Sequence, residues 1–152
     1  EDQARRLFRD GLAKFRGGDS AGALADLDRA LALHPDLADA VVSTGFGYVR
    51  ARREQQAGIV AALLPQVRDI RRVGAAAVDL CWVARGRIDA HYERGLQDWD
   101  RAAGSVIAAE AGAVVAGLRG TPASADLLIA ANPQLYRQLD TALAQLRADS
   151  GD

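Results

Sequence analysis

The fold is decided by residues 71–104, RRVGAAAVDLCWVARGRIDAHYERGLQDWDRAAG. Apolar residues recur at helical spacing over 75–85, and Gly86 favours a helix end directly afterwards. Residues 88–93 alternate between apolar and polar or aromatic side chains, which is typical of a short strand. Helical spacing returns over 99–111. The order helix, strand, helix indicates an α/β layer.

Two acidic residues lie at the ends of these predicted elements. Glu93 ends the strand and Asp100 opens the second helix, and open α/β sheets bind ligands at the carboxyl ends of their strands. A carboxylate at such a place can ligate Mg²⁺, which prefers one or two carboxylates together with water and phosphate oxygens. The alternatives are structural: Asp100 as a first-turn residue at the positive helix end, and Glu93 as an exposed residue at a strand end.

Further elements on both sides extend this layer into a sheet. We predict about five strands separated mainly by helices, at 41–46, 70–73, 88–93, 113–118 and 127–131. A long amphipathic helix is predicted at 48–68, kinked or ended near Leu64 by Pro65, and a last helix at 134–147. The predicted fold class is therefore α/β with a mixed sheet, preceded by an α-helical hairpin.

The hairpin is predicted for residues 1–35. Two amphipathic helices, 3–15 and 21–33, flank a turn in which Asp19 or Ser20 is the predicted N-cap. The hairpin resembles one tetratricopeptide repeat, and the positions that carry the resemblance are Gly11, Gly18, Ala23, Leu27, Ala30 and Pro35. The resemblance implies a docking partner, because one repeat cannot bury its own apolar face. That partner is expected to be the α/β part of this chain, a second copy in a homodimer, repeats lost upstream or another protein.

The junction after the hairpin allows two interpretations. Residues 38–50 fit the first helix of a second repeat, whereas 41–46 fit a strand of the sheet. We favour the strand, because the β-branched pair Val41 and Val42 and the two glycines that follow disfavour a helix.

The composition excludes several functional classes. The 152 residues carry a net charge of -1 with both signs interspersed, which indicates neither a nucleic-acid nor a membrane partner. Cys81 is the single cysteine and is interpreted as a buried thiol, so we expect no internal disulfide and a reducing compartment. The sequence has no recognisable signal peptide or membrane-spanning stretch, and a cytoplasmic location is expected.

Other conspicuous side chains receive structural interpretations. The early arginines of the long helix, Arg50, Arg52 and Arg53, are interpreted as a solvated face, with phosphate binding as the alternative. His34 is interpreted as a helix-end residue and His91 as a strand residue, because neither has a second histidine or cysteine at ligand spacing.

An ordered series of motifs runs through residues 36–146. The motifs are Thr44-Gly45-Phe46, Arg71-Arg72-Val73-Gly74-Ala75-Ala76, Gly86-Arg87-Ile88-Asp89-Ala90, Tyr92-Glu93-Arg94-Gly95, Trp99-Asp100-Arg101-Ala102-Ala103-Gly104, Glu110-Ala111-Gly112 and Ile129-Ala130-Ala131-Asn132-Pro133. In this order the segment resembles the C-terminal half of the inositol monophosphatase family of Mg²⁺-dependent phosphatases. Trp-Asp-x-Ala-Ala-Gly is a specific signature of that family. The resemblance implies that residues 36–152 form the C-terminal α/β domain of such a phosphatase.

The resemblance also implies roles for individual residues. Asp100 matches the aspartate that ligates catalytic metal, and Glu93 matches an acidic residue that contacts substrate hydroxyls. Gly74 and Ala75 match a strand-to-helix turn whose backbone N–H groups approach the substrate. The family usually has Ser or Thr where this chain has Ala75, which puts a side-chain contact from that position in doubt. The implied substrate is a small phosphorylated polyol such as an inositol phosphate, and the implied cofactor is Mg²⁺.

The metal motifs of the family's N-terminal half do not occur in this sequence. The family carries a glutamate-rich motif and an Asp-Pro-x-Asp-Gly-Thr motif, but these 152 residues contain neither an Asp-Pro nor a Glu-Glu pair. Metal-assisted hydrolysis needs ions held in a fixed geometry, so we assign no catalytic residue and expect little or no activity from this chain alone. The absence of methionine favours loss of a preceding segment. Two alternatives are a non-catalytic interaction module and a chimera without a selected function.

Overall fold

The computed structural model describes residues 2–33 and 37–149. The helices are α1 (Asp2–Arg16), α2 (Ser20–Leu33), α3 (Arg50–Leu63), α4 (Ala76–Ala84), α5 (Asp98–Glu110) and α6 (Pro133–Gln145). The strands are β1 (Val41–Thr44), β2 (Asp69–Arg71), β3 (Ala90–Glu93), β4 (Val114–Ala116) and β5 (Leu128–Ala131). Backbone contacts divide the chain into two compact units, Glu1–Pro35 and Asp36–Asp152. The predictions made for His34 and Pro35 lie outside the described residues.

The first unit is a pair of helices, α1 and α2. Asp19 is the N-cap of α2, because its Oδ1 accepts a hydrogen bond of 2.9 Å from the Gly22 N–H. The helices approach closely where Gly11 meets Leu27: a β-carbon at Gly11 would lie 2.9 Å from Leu27 Cγ. A small residue is therefore needed at this contact. The assignment of this hairpin to the tetratricopeptide repeats stays a prediction.

The second unit is built on one mixed sheet, which confirms the predicted fold class. The strand order is β2-β1-β3-β5-β4. β1 runs parallel to β2 and β3, whereas β5 runs antiparallel to β3 and β4. All five predicted strands are present, each within a few residues of the predicted bounds. At the junction, residues 41–44 pair within the sheet, so the alternative of a second repeat helix is wrong.

The sheet separates two apolar cores. One core joins alternate strand residues such as Val42, Ala90 and Ile129 to α3 and α6. The other core joins Leu128 and Ala130 to α4. Side chains alternate between the two faces of a strand, so neighbours in sequence enter different cores. The carboxyl ends of the parallel strands β1, β2 and β3 meet at one edge, and the loops that follow them lie together there.

The long helix ends near Leu64, as Pro65 predicted. The α-helix stops at Leu63 and continues as a 3-10 turn, Leu64–Gln66, because Pro65 lacks the N–H that an α-helix requires. Cys81, expected to be buried, is only partly buried in α4. Among the helices of residues 2–33 and 37–149, none combines the length and the apolar character needed to cross a membrane.

Several motif residues have structural roles. The Asp89 Oδ2 atom accepts a hydrogen bond of 2.7 Å from the Val41 N–H and so satisfies the first donor of β1. Asn132 is the N-cap of α6, and its side chain accepts from the N–H groups of Gln134 and Leu135. Residues of this kind explain part of the motif series without chemistry.

Gly104, the last residue of the Trp-Asp-x-Ala-Ala-Gly motif, lies where α5 packs on α4. We expect Gly104→Ala to lower the free energy of unfolding by about 1–3 kcal/mol, because the new β-carbon would lie 2.8 Å from Leu80 Cβ. Gly58 in α3 provides the matched control, since a β-carbon there meets no atom within 4 Å. Gly58→Ala should stabilise the protein by about 0.5–1 kcal/mol through helix propensity. Urea unfolding of both variants measures the two effects, and equal signs would contradict the packing role of Gly104.

Candidate functional site

A cleft of about 360 Å³ lies at the carboxyl ends of the parallel strands. The loops after β1, β2 and β3, the first turns of α4 and α5 and one side chain of α3 form its walls. The lining residues are Phe46, Gly47, Tyr48, Arg52, Arg72, Gly74, Ala75, Ala76, Ala77, Glu93, Arg94, Gly95, Leu96, Trp99 and Asp100. This is the position at which open α/β sheets place their ligands.

The four residues singled out from the sequence all line this cleft. Gly74 and Ala75 come from the β2–α4 loop, Glu93 from the end of β3 and Asp100 from the first turn of α5. Their roles toward metal and substrate stay predictions. The fold nevertheless brings residues that are up to 26 positions apart in sequence to a single cleft.

The β2–α4 loop is shaped by a glycine. Gly74 has a φ of +94°, a backbone conformation that side chains with a β-carbon rarely adopt. A β-carbon there would also collide with the Arg72 guanidinium, which crosses the loop at this point. Ala75 follows as the N-cap of α4 in an extended conformation, without a side-chain hydrogen bond. The first N–H groups of α4, at Ala76 and Ala77, therefore lie at the cleft wall without a capping side chain.

Asp100 makes a structural hydrogen bond and also lines the cleft. Its Oδ2 atom accepts a hydrogen bond of 2.9 Å from the Gln97 N–H, so the carboxylate helps to begin α5. The same partly buried side chain lines the cleft. A structural role and a place in the cleft therefore coexist in this residue.

Glu93 is largely buried, with 16% of its side chain exposed. Its carboxylate lies against Gly45, where any β-carbon would collide with it. The pKa of Glu93 is raised to about 7, mainly by burial and also by the negative charges of Asp79 and Asp100, while Arg72 opposes the rise. Near neutral pH this carboxyl group exists in both protonation states. The alternative of an exposed strand-end glutamate is therefore wrong.

Several cleft residues were missed by sequence reasoning. Arg52 was interpreted as part of a solvated face, and Arg50 and Arg53 are indeed exposed, but Arg52 is partly buried and lines the cleft. Tyr48 and Trp99 lie at the cleft with 97% and 80% of their surfaces exposed. The only available signal was their proximity in sequence to the glycine and Trp-Asp motifs.

A cluster of three buried polar residues lies on the sheet face that α4 covers. Ser43, Asp79 and His91 are at most 1% exposed, and Ser43 pairs with His91 across β1 and β3. Ser43 Oγ lies 2.8 Å from His91 Nδ1. Burial lowers the pKa of His91 to about 4 against the opposing effect of the Ser43 backbone, and burial raises the pKa of Asp79. His91 is therefore a strand residue, as predicted, and is neutral at physiological pH.

Potential metal ligands are sparse in the described part of the chain. Within residues 2–33 and 37–149, no group of three or more His, Cys, Asp or Glu side chains could hold a metal ion. Asp100 offers a hard oxygen ligand, which suits Mg²⁺, but the described residues supply only part of a coordination shell.

The mixed sheet, the helices on both faces and the cleft at the strand ends define an α/β protein with a cleft lined by charged side chains. The chain belongs to the inositol monophosphatase family, whose sequence model matches residues 15–151. This match is wider than the resemblance noted for residues 36–146 and begins within α1.

Individual relatives give the same result. An inositol-1-monophosphatase SuhB of Mycobacterium tuberculosis is 50% identical over 111 residues, which cover 71% of this chain and 38% of the relative. A Nus factor SuhB of Vibrio cholerae is 41% identical over 103 residues, which cover 65% of this chain and 39% of the relative. The solved structure of Mycobacterium tuberculosis SuhB matches with a TM-score of 0.67 and 47% identity, over 76% of this chain and 45% of that one. The chain thus spans less than half the length of the relatives it matches.

Proposed function

We propose that this chain supplies the C-terminal half of a Mg²⁺-dependent phosphomonoesterase site for a small phosphorylated polyol, such as an inositol phosphate. The observation that carries the proposal is the convergence of Gly74, Ala75, Glu93 and Asp100 on one cleft. In the proposed site, residues 36–152 form the C-terminal domain. We further propose that these 152 residues alone hydrolyse such esters little or not at all.

The proposed metal ligand is Asp100. When bound, Mg²⁺ would polarise the phosphate group and activate water. Asp100 is held by its hydrogen bond from Gln97, so the carboxylate is already oriented at the start of α5. One or two carboxylates are enough for Mg²⁺ when substrate phosphate and water complete the shell, but catalysis requires further fixed ligands. These ligands would come from a segment or chain outside the 152 residues.

The other cleft residues would bind and orient the substrate. The N–H groups at the start of α4 face an anion favourably, because the N-terminal end of a helix carries partial positive charge. Arg72 and Arg52 add positive charge at the same wall. Glu93 would contact polyol hydroxyl groups, as a carboxylate that accepts hydrogen bonds or a carboxylic acid that donates one.

Complementation tests this proposal. We expect no Mg²⁺-dependent phosphate release from inositol 1-phosphate when the chain is assayed alone. We expect release to begin when the separately expressed N-terminal part of the Mycobacterium tuberculosis relative is added, because that part would supply the missing metal ligands. Calorimetric titration with Mg²⁺ on the same samples should show tight binding only in the mixture.

Two controls make the result interpretable. The N-terminal part alone must be inactive, and formation of the mixed complex is verified by size-exclusion chromatography. Turnover by the isolated chain would contradict the proposed incompleteness. A verified complex that binds no Mg²⁺ and releases no phosphate would contradict the proposed function.

A non-catalytic interaction module is the second candidate. Three apolar side chains of the hairpin, Phe8, Phe15 and Leu24, have more than half of their surfaces exposed, which is typical of a protein-binding surface. One of the names carried by relatives, Nus factor, is not the name of a phosphatase. This function would be favoured if a defined partner bound the chain and the pair Phe8→Asp and Leu24→Asp abolished binding without unfolding the protein.

A further inference from the structure

A line of polar side chains runs from α4 to the cleft. Asp79 and Ser43 lie at its buried end, His91 in the middle and Glu93 at the cleft. His91 and Glu93 are two positions apart on β3, so their side chains point to the same face of the sheet. Ser43 Oγ is 2.8 Å from His91 Nδ1, and His91 Nε2 is 3.6 Å from Glu93 Oε2.

Two members of this line, Asp79 and His91, have buried polar atoms without a hydrogen-bond partner among the described residues. Neither carboxylate oxygen of Asp79 has a hydrogen-bond partner among the described residues, and His91 Nε2 has none either. The Ser43 hydroxyl is bonded to His91, and the same side chain opposes the rise that burial causes in the pKa of Asp79. Its single proton can serve only one of these two neighbours at a time, and a buried acceptor without a donor is costly.

Counting protons shows how each polar atom along the line can have a hydrogen-bond partner. A neutral imidazole has one N–H and one acceptor nitrogen, and a hydroxyl has one proton. If Ser43 donates to Asp79, it accepts from Nδ1–H, so Nε2 is an acceptor and Glu93 must be the carboxylic acid. If Ser43 donates to Nδ1, then Nε2–H donates to a Glu93 carboxylate, and Asp79 must be protonated to donate to Ser43. Each arrangement has one protonated and one ionised carboxyl group.

We propose that Asp79, Ser43 and His91 are positioning residues for Glu93 and form a buried line that holds one proton between the Asp79 and Glu93 carboxyl groups. Passing from the first arrangement to the second moves the Glu93 proton to Nε2, the Nδ1 proton to the Ser43 oxygen and the Ser43 proton to Asp79. His91 and Ser43 each lose one proton and gain one. The net change is the transfer of one proton from Glu93 to Asp79.

In the first arrangement the Glu93 proton is directed at His91 Nε2, and in the second Glu93 is a carboxylate, so in both arrangements the carboxyl group offers an acceptor oxygen to a polyol hydroxyl group. That use rests on the proposed function, whereas the line itself does not. Other charged groups also face Glu93 and belong to the same electrostatic setting: they are Arg72 before α4, Asp100 on α5, Arg52 on α3 and Arg94 after β3. None of these groups donates or accepts a proton in the two arrangements described above.

The position of the imidazole proton tests the line directly. The chain has two histidines, so His34→Gln leaves His91 as the only ring signal in ¹⁵N NMR of ¹⁵N-histidine-labelled protein. At neutral pH we expect Glu93→Gln to place the proton on Nδ1, because the remaining charge on Asp79 draws the Ser43 proton. We expect Asp79→Asn to place the proton on Nε2, because the remaining charge is then on Glu93.

The two isosteric variants serve as controls for each other. A purely structural role for His91 predicts the same tautomer in both, and that result would overturn the proposal. The opposite tautomer in either variant alone would also overturn the proposal, so one variant that fails to fold leaves the other decisive. No substrate or metal enters this experiment, and failure of the proposed phosphatase function would therefore leave the tautomer result unaffected.

Discussion

Glu93→Gln is expected to stabilise the protein by about 3 kcal/mol at about pH 8. The pKa of Glu93 is raised from 4.5 to about 7 in the folded chain, chiefly by burial. Between these values the folded chain retains a proton that the unfolded chain has released, so the free energy of unfolding falls as pH rises through this window. Glutamine never ionises and avoids that loss. Chemical denaturation at a series of pH values measures the difference between variant and wild type.

The pH dependence distinguishes this effect from general repacking. The advantage of the variant should be small near pH 4.5, grow toward pH 7 and then level off. The comparison must be made with wild type at each pH, because His91, whose pKa is lowered from 6.5 to about 4, contributes a slope of opposite sign. Glu110→Gln at the exposed end of α5 is the control, with an expected change below about 0.5 kcal/mol. A uniform gain at all pH values would contradict the argument.

Asp100→Asn is expected to lower kcat of the complemented complex by about 10²–10³-fold. A neutral amide neutralises no charge on a bound cation, and loss of several kcal/mol of metal stabilisation corresponds to that range. Asparagine can still accept the hydrogen bond from Gln97, so the start of α5 and the stability of the domain should be nearly unchanged. Phosphate release at saturating substrate, combined with Mg²⁺ titration, measures the effect.

Asp98→Asn is the matched control for this prediction. Asp98 lies in the same helical turn, but its side chain is 84% exposed and pairs with Arg101 rather than lining the cleft. We expect less than about a twofold change in kcat, because exposed ion pairs contribute little. If both variants lost activity equally, the effect would arise from α5 as a whole and Asp100 would not be the metal ligand.

The sequence was informative wherever one local rule determined the outcome. Alternation over 88–93 indicated β3, β-branched residues at the junction indicated β1, and Pro65 indicated the end of α3. Family motifs indicated Glu93 and Asp100, and the fold places both at one cleft.

The cleft and core residues that sequence analysis missed owe their positions to tertiary structure. Helical periodicity could not show that Arg52 turns toward the cleft while Arg50 and Arg53 face solvent. The pairing of Ser43 with His91 depends on strand register between residues 48 positions apart, and no local pattern specifies that register.

The contact between Gly45 and the Glu93 carboxylate constrains the order in which this site can change. A larger residue at Gly45 collides with Glu93 as long as the glutamate is present, but not once position 93 holds a small side chain. The same substitution at Gly45 is therefore more harmful in one genetic background than in the other, which is epistasis between the two positions. A lineage that loses Glu93 first becomes free to fill Gly45, and the filled position then blocks the return of the glutamate. Loss of this carboxylate would therefore be difficult to reverse once Gly45 has been replaced.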